Sequence, residues 1–271
     1  MSERILVLFP GSLGDFVCFL PTLRAIIAKT DSAKVSLAVR ASAFEIAGHL
    51  PHMSAVYSLD SGIFSRLFSS SFGQREEERR FFSSFSHIFS WFGNAYGQVL
   101  ANLKKYSRDA RSFPFFSGQI SEQYRTHASL YYLHCVGIQD VRCPFLFVGK
   151  AQGQWAHDYS NENGWSPYNT QVLVIHPGSG GQKKRWDPNG FRLVAEWWKT
   201  GCHRAVLILL GPAEETESKS WQTVGHVLQG GTLWQVAALL RRATVYLGND
   251  SGVSHLAGAI GARQRQSSCF L

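Results

Sequence analysis

The sequence predicts an α/β protein built from two doubly wound domains in succession, and three observations carry that prediction. Largely apolar runs rich in Val, Ile and Leu recur at residues 5–9, 35–39, 172–176, 205–210 and 243–247, the first and fourth of them unbroken. Such runs mark strands buried on both faces of a parallel sheet. Several are followed by a turn of Gly, Pro, Ser or Asp and then by a segment of helical apolar spacing. The order also starts twice: once at Ile5, and again at Val172 after a Gly, Asn, Gln and Ser-rich stretch over residues 149–170. That stretch reads as an interdomain linker, which sets domains at 1–150 and 165–271. Trp155 and Trp165 within it indicate that part of it packs.

Ile5 to Phe9 is the first strand, Pro10-Gly-Ser-Leu-Gly-Asp15 its turn, and residues 16–28 a helix interrupted by Pro21. Val35 to Val39, a helix over 41–50 and a strand over 55–59 follow, and this alternation implies right-handed crossovers. Residues 61–85 are rich in Ser, Phe and Arg. Glu76 and Arg80 stand four apart, the spacing of a solvated helix face. Phe64, Leu67, Phe68 and Phe72 leave a second reading open, contact with a membrane surface or a lipid-bearing substrate. A strand is expected over 87–92, a helix over 96–105, extended chain over 108–116 and one long amphipathic helix over 122–136. In the second half, helices are expected over 189–199, after Gly211-Pro-Ala-Glu-Glu215, over 232–241 and from Ser254. Past Ala262 the polar run Arg263-Gln-Arg-Gln stands where another buried strand is expected, so the second domain reads as incomplete.

The chain has 271 residues, 45% of them hydrophobic and 17% charged, enough to bury a core and unlike a disordered chain. A formal charge of +8 favours an anionic partner. No nucleic-acid recognition module accompanies that charge, so a nucleic-acid partner is not expected. Five cysteines are scattered without a C-x-x-C pair, as in a reducing compartment, and no zinc site is expected. No apolar run approaches the ~18 residues of a membrane span, and the expected location is the cytoplasm.

Three turns could carry chemistry. His176-Pro-Gly-Ser-Gly-Gly181 is followed by Lys183, Lys184 and Arg185 and then by a helix opening at Asp187-Pro188. Small residues, cations and a helix N-terminus together suit phosphate oxygens, although a tight loop with a solvated basic cluster reads the same way. Gly248-Asn-Asp-Ser-Gly252 repeats the pattern, with an ordinary helix cap as the alternative. The first turn, Gly11 to Asp15, is neither a dinucleotide fingerprint nor a P-loop. Its Asp15 is either a general base or a plain charge at a helix start. Glu214 stands just past a buried strand, where a carboxylate can hold a ribose or simply be solvated.

Taken together, Gly11-Ser-Leu-Gly-Asp15 with Leu20-Pro21, His176-Pro-Gly-Ser-Gly180 with Lys184 and Trp186-Asp-Pro188, Leu209-Leu-Gly-Pro-Ala-Glu214, and Gly248-Asn-Asp-Ser-Gly-Val-Ser-His-Leu256 resemble glycosyltransferase family 9, the ADP-heptose:lipopolysaccharide heptosyltransferases. The resemblance implies a GT-B fold, two Rossmann-like domains facing across a cleft, with the acceptor on the first and the donor on the second. It implies inverting, metal-independent transfer of a sugar from a nucleotide-diphosphate sugar, with no cofactor besides that ADP-sugar substrate. The acceptor it implies is lipid-linked or polysaccharide, which leaves peripheral contact with the inner membrane face open. Asp15 would be the base, beside Gly14. Lys184 would neutralise the leaving diphosphate with Ser179, Gly180, Ser251 and Gly252; Glu214 would hold the ribose, and Asp250 would sit by the diphosphate. The expected incompleteness of the second domain admits an alternative, a family member that binds nucleotide-sugar without transferring it. Residues 61–125 match no family pattern and are where acceptor choice would be expressed.

Overall fold

In the computed structural model, which describes residues 3–30, 34–107, 109–139, 146–165 and 169–261, nine strands form two all-parallel sheets. Each sheet belongs to one of two units, Met1–Cys143 and Pro144–Leu271. The first unit runs β1 (Arg4–Phe9), α1 (Leu13–Lys29), β2 (Lys34–Val39), α2 (Ala41–Gly48), β3 (Met53–Ser58), α3 (Gly62–Ser65), α4 (Glu76–Phe82), β4 (His87–Ser90), α5 (Gly97–Lys104), β5 (Asp109–Ser112), α6 (Gly118–Tyr124) and α7 (Ala128–Cys135). Its strands lie in the order β3-β2-β1-β4-β5. The central β1 buries Ile5 to Phe9 completely, as its unbroken apolar run requires. Phe9, Phe19, Trp91 and Tyr132 meet edge-on or stacked under the carboxyl end of this sheet.

The second unit runs α8 (Lys150–Glu162), β6 (Gln171–His176), α9 (Pro188–Lys199), β7 (Arg204–Leu210), α10 (Ser218–Gln222), β8 (His226–Gln229), α11 (Leu233–Leu240), β9 (Val245–Gly248) and α12 (Gly252–Ala259). Its strand order is β8-β7-β6-β9. Leu173, Ile175, Val206 and Ile208 pack against Phe191, Trp198 and Trp221 to form its core. No described helix is long and apolar enough to cross a membrane.

Several expectations are corrected. The helix α1 runs through Pro21 without a break. The single helix expected over 122–136 is two, α6 and α7, parted where Arg125 turns left-handed at φ 45°. His127 then opens α7 by accepting the Ser129 amide at 3.2 Å. Glu76 and Arg80 are exposed on α4 as expected, but Glu78 between them is fully buried, bonded by Arg66 and by the Gly73 amide at 2.7 Å. Phe64, Leu67 and Phe72 are core residues, which removes them from any surface and leaves only Phe68 of that set exposed. The segment read as a linker contains α8, which buries Ala156 and Ser160 and packs on α11. The short edge strand β8 escapes a periodicity reading because it is four residues long. The expectation for the tail past Ala262 lies outside the described residues.

Candidate functional site

In a parallel sheet the turns that leave the carboxyl ends of neighbouring strands lie side by side, and a crevice opens where the strand order reverses. In the second unit that reversal is at β6, which pairs with β7 on one side and β9 on the other. The turns after β6 and β9 therefore meet. Ser179 Oγ donates to the Asp250 carbonyl at 3.0 Å, and Lys184 Nζ lies 2.6 Å from Asp250 Oδ2. Asn249, buried between them, donates from Nδ2 to the Pro177 carbonyl at 2.7 Å and accepts the Trp186 amide at 2.9 Å. Two turns that the sequence offered separately are one hydrogen-bonded structure.

Two ion pairs in it differ in kind. The Lys184–Asp250 pair is open to water, with side chains 61% and 49% exposed. Such a pair is worth about 0–1 kcal/mol, so an incoming polyanion can displace the carboxylate. The hydrogen bond from Lys184, with the nearby His255, nevertheless holds the Asp250 carboxyl below its usual range. His255 Nε2 stands 3.8 Å from Asp250 Oδ1. Glu214 is only 4% exposed, so the solvated-loop reading of it is excluded. Its Oε1 takes the Arg185 guanidinium at 2.7 Å and its Oε2 the Gly211 amide at 3.2 Å. A Cβ on residue 178 would come within 2.8 Å of this carboxylate, which is why glycine stands there.

His176 closes the floor. Its Nδ1 lies 2.9 Å from the Leu209 carbonyl, which only accepts, so Nδ1 carries the proton. Burial pushes its pKa down and keeps the ring neutral. Ser251 caps α12, accepting the Ser254 amide at 3.3 Å. Gly252 is the first residue of that helix, whose opening amides have no intrahelical acceptor. A Cβ on Gly180, in the turn after β6, would meet nothing within 4 Å among the described residues.

Asp15 belongs to the first unit, at the corresponding reversal point, where β1 pairs with both β2 and β4. Gly14 beside it is buried near the start of α1. Asp15 Oδ2 accepts from the Ser12 amide at 3.0 Å and the Ser12 hydroxyl at 2.7 Å. The carboxylate is thus held by its own turn. Burial, with the Asp15 charge adding to it, pushes the nearby Cys18 thiol up to about 11.

The structure brings together Ser179, Lys184, Asp250 and Ser251, and reaches Glu214 through Arg185. Arg185 and Asn249 are the residues that sequence reasoning missed. Both were visible inside the turn motifs, but only burial and partners 29 and 63 residues away reveal what they do.

Residues 146–264 match the family model described as glycosyltransferase family 9 (heptosyltransferase). No curated protein matches by sequence. Among solved structures, the glycosyl transferase family 9 protein from Veillonella parvula DSM 2008 superposes with TM-score 0.72 at 16% identity, over 95% of this chain and 79% of that one. The E. coli ADP-heptose lps heptosyltransferase II gives 0.70 at 15% identity, over 95% and 82%. E. coli heptosyltransferase WaaC with ADP-2-deoxy-2-fluoro heptose gives 0.62 at 16% identity, over 95% and 86%. The chain shares the GT-B fold of these structures. The family match is confined to residues 146–264, within the second unit.

Proposed function

We propose that the chain transfers a sugar, heptose in the first instance, from an ADP-sugar to a lipopolysaccharide-core or related glycan acceptor, with inversion and without a metal. The observation that carries this reading is the joined pair of turns in the second unit, where Ser179, Lys184 and the Ser251 helix start gather around Asp250. The acceptor oxygen attacks the anomeric carbon as the bond from that carbon to the diphosphate oxygen breaks. Negative charge grows on the departing nucleoside diphosphate, and preplaced donors lower the barrier to that growth. Lys184 supplies the charge after exchanging Asp250 for phosphate, aided by Ser179, Gly180 and the first amides of α12 at Gly252. Glu214 holds the ribose. Each carboxylate oxygen accepts more than one hydrogen bond, so its bonds to Arg185 and Gly211 leave room for a hydroxyl.

Asp15 takes the acceptor proton through Oδ1, which has no hydrogen bond among the described residues, while Ser12 keeps Oδ2 in place. The reaction is expected on the cytoplasmic side, on a lipid-linked or polysaccharide acceptor. Calorimetric titration with ADP, followed by a transfer assay on Asp15→Asn, tests this. ADP is expected to bind wild type and variant equally. Turnover is expected to fall ~10²–10⁴-fold, the usual contribution of a general base. Full turnover in Asp15→Asn would remove the base assignment, and failure of the wild type to bind ADP would remove the donor site.

A further inference from the structure

The strand reversal that builds the donor turns in the second unit has a counterpart in the first, between β1 and β4. The turn after β1 carries Asp15. The loop after β4 leaves the same sheet edge on the neighbouring strand, tied to β1 by the Trp91 amide donating to the Leu8 carbonyl at 2.9 Å. That loop is Trp91-Phe-Gly-Asn-Ala-Tyr-Gly97, with no charged residue in it. It displays an aromatic group. Phe68 stands edge-to-face against Phe92 at 5.1 Å and against Tyr96 at 5.3 Å. Gly93, at φ 69°, permits the close approach, since a Cβ there would lie 3.2 Å from the Phe68 ring.

The group is held from behind and open in front. Phe92 packs on the buried cluster that includes Leu8, Leu67 and Ile88. Phe68 is 40% and Tyr96 61% exposed. Polar groups border the rings. The Tyr96 hydroxyl has no hydrogen bond among the described residues. Asn94 uses its Oδ1 to accept from Ser112 at 2.9 Å, which leaves its NH₂ to donate.

We infer that Phe68, Phe92 and Tyr96 form a stacking platform for a pyranose ring of the acceptor glycan, an assignment that rests on the transferase reading above. A pyranose has a face of C–H groups ringed by hydroxyls. It therefore matches exposed aromatic faces bordered by a phenol and an amide. The lack of charge in the loop disfavours anionic lipid headgroups, which are drawn by Lys and Arg. The platform lies on the sheet edge from which Asp15 emerges, the edge where open α/β sheets take ligands.

The test is calorimetric titration of the full chain with deacylated lipopolysaccharide core oligosaccharide, in wild type, Tyr96→Ala, Tyr96→Phe and Phe68→Leu. Tyr96→Ala is expected to weaken binding about tenfold, the loss of one ring's stacking. Tyr96→Phe is expected to stay within about threefold of wild type, with Phe68→Leu in between. ADP affinity, measured alongside, should be unchanged in all three, and unchanged urea denaturation midpoints show that the first unit, which carries the substitutions, is folded. Equal oligosaccharide affinity in wild type and Tyr96→Ala would overturn the platform, as would an equal loss in Tyr96→Phe. Absence of oligosaccharide binding by the wild type, or binding to phosphatidylglycerol vesicles that Tyr96→Ala alone abolishes, would overturn it too. ADP binding distinguishes the two readings: its loss in wild type sinks the donor site, and its retention without oligosaccharide binding sinks only the platform.

Discussion

Lys184 and Arg185 are adjacent cations of one motif, yet their partners divide their work. Lys184 faces water and holds an exposed Asp250, whereas Arg185 compensates a carboxylate that is almost wholly buried. Lys184→Ala should therefore change stability by less than about 1 kcal/mol. It should weaken ADP roughly 10- to 100-fold, the loss of a charge-assisted bond to phosphate. Arg185→Ala should do the reverse in stability, costing about 3 kcal/mol because Glu214 is left buried without its partner. Urea denaturation of both variants beside ADP calorimetry checks the contrast. Equal stability losses would mean that the burial of Glu214 does not govern the site.

Among the elements, α4 and the turn before it show how one carboxylate of an otherwise exposed charged run becomes part of a core. Burial alone would raise the Glu78 pKa, but the Arg66 guanidinium and the Gly73 amide outweigh it and hold the carboxyl below its usual value. A group whose folded pKa is depressed stabilises the fold above its unfolded pKa, about 4.3 for glutamate, and loses that stabilisation as pH falls through the folded value. Glu78→Gln should thus be clearly less stable than wild type at neutral pH, and the gap should narrow at pH values below about 4. Denaturation midpoints at the two pH values measure it, and a gap independent of pH would remove the charge from the account. The same element seats Phe81 and Phe82 against Phe64, so its loss would also disturb the loop that presents Phe68.

For the whole molecule, the charge of +8 and the placement of every residue proposed to hold the donor in the second unit make two expectations. Association with ADP should slow as ionic strength rises from ~0.01 to ~0.15 M, because the screening length shortens from about 30 to about 8 Å. Stopped-flow measurements would show this, and a salt-independent rate would confine the attraction to direct contact. Bound ADP should also slow amide exchange in residues 177–181 and 249–254. Exchange in residues 10–15, which carry Asp15 on the first unit, should stay the same. Protection of the first turn alone would place the donor on the wrong unit.

What the sequence determined by itself is the local part. Apolar runs identify β1, β2, β6 and β7, and the glycine turns after β1, β6 and β7 are legible because backbone freedom and ligand approach demand particular residues at adjacent positions. Charge runs and long amphipathic segments were less legible. Nothing set the buried Glu78 apart from its exposed neighbours Glu76 and Arg80, and residues 122–136 looked continuous, since burial and chain reversal at Arg125 leave no periodic trace. Only the tertiary structure decided the pairings: Lys184 with Asp250, Arg185 with Glu214, Asn249 between two turns, and Phe68 with Tyr96. Such contacts join residues tens of positions apart, and they form because strand order, a non-local property, sets which turns stand side by side.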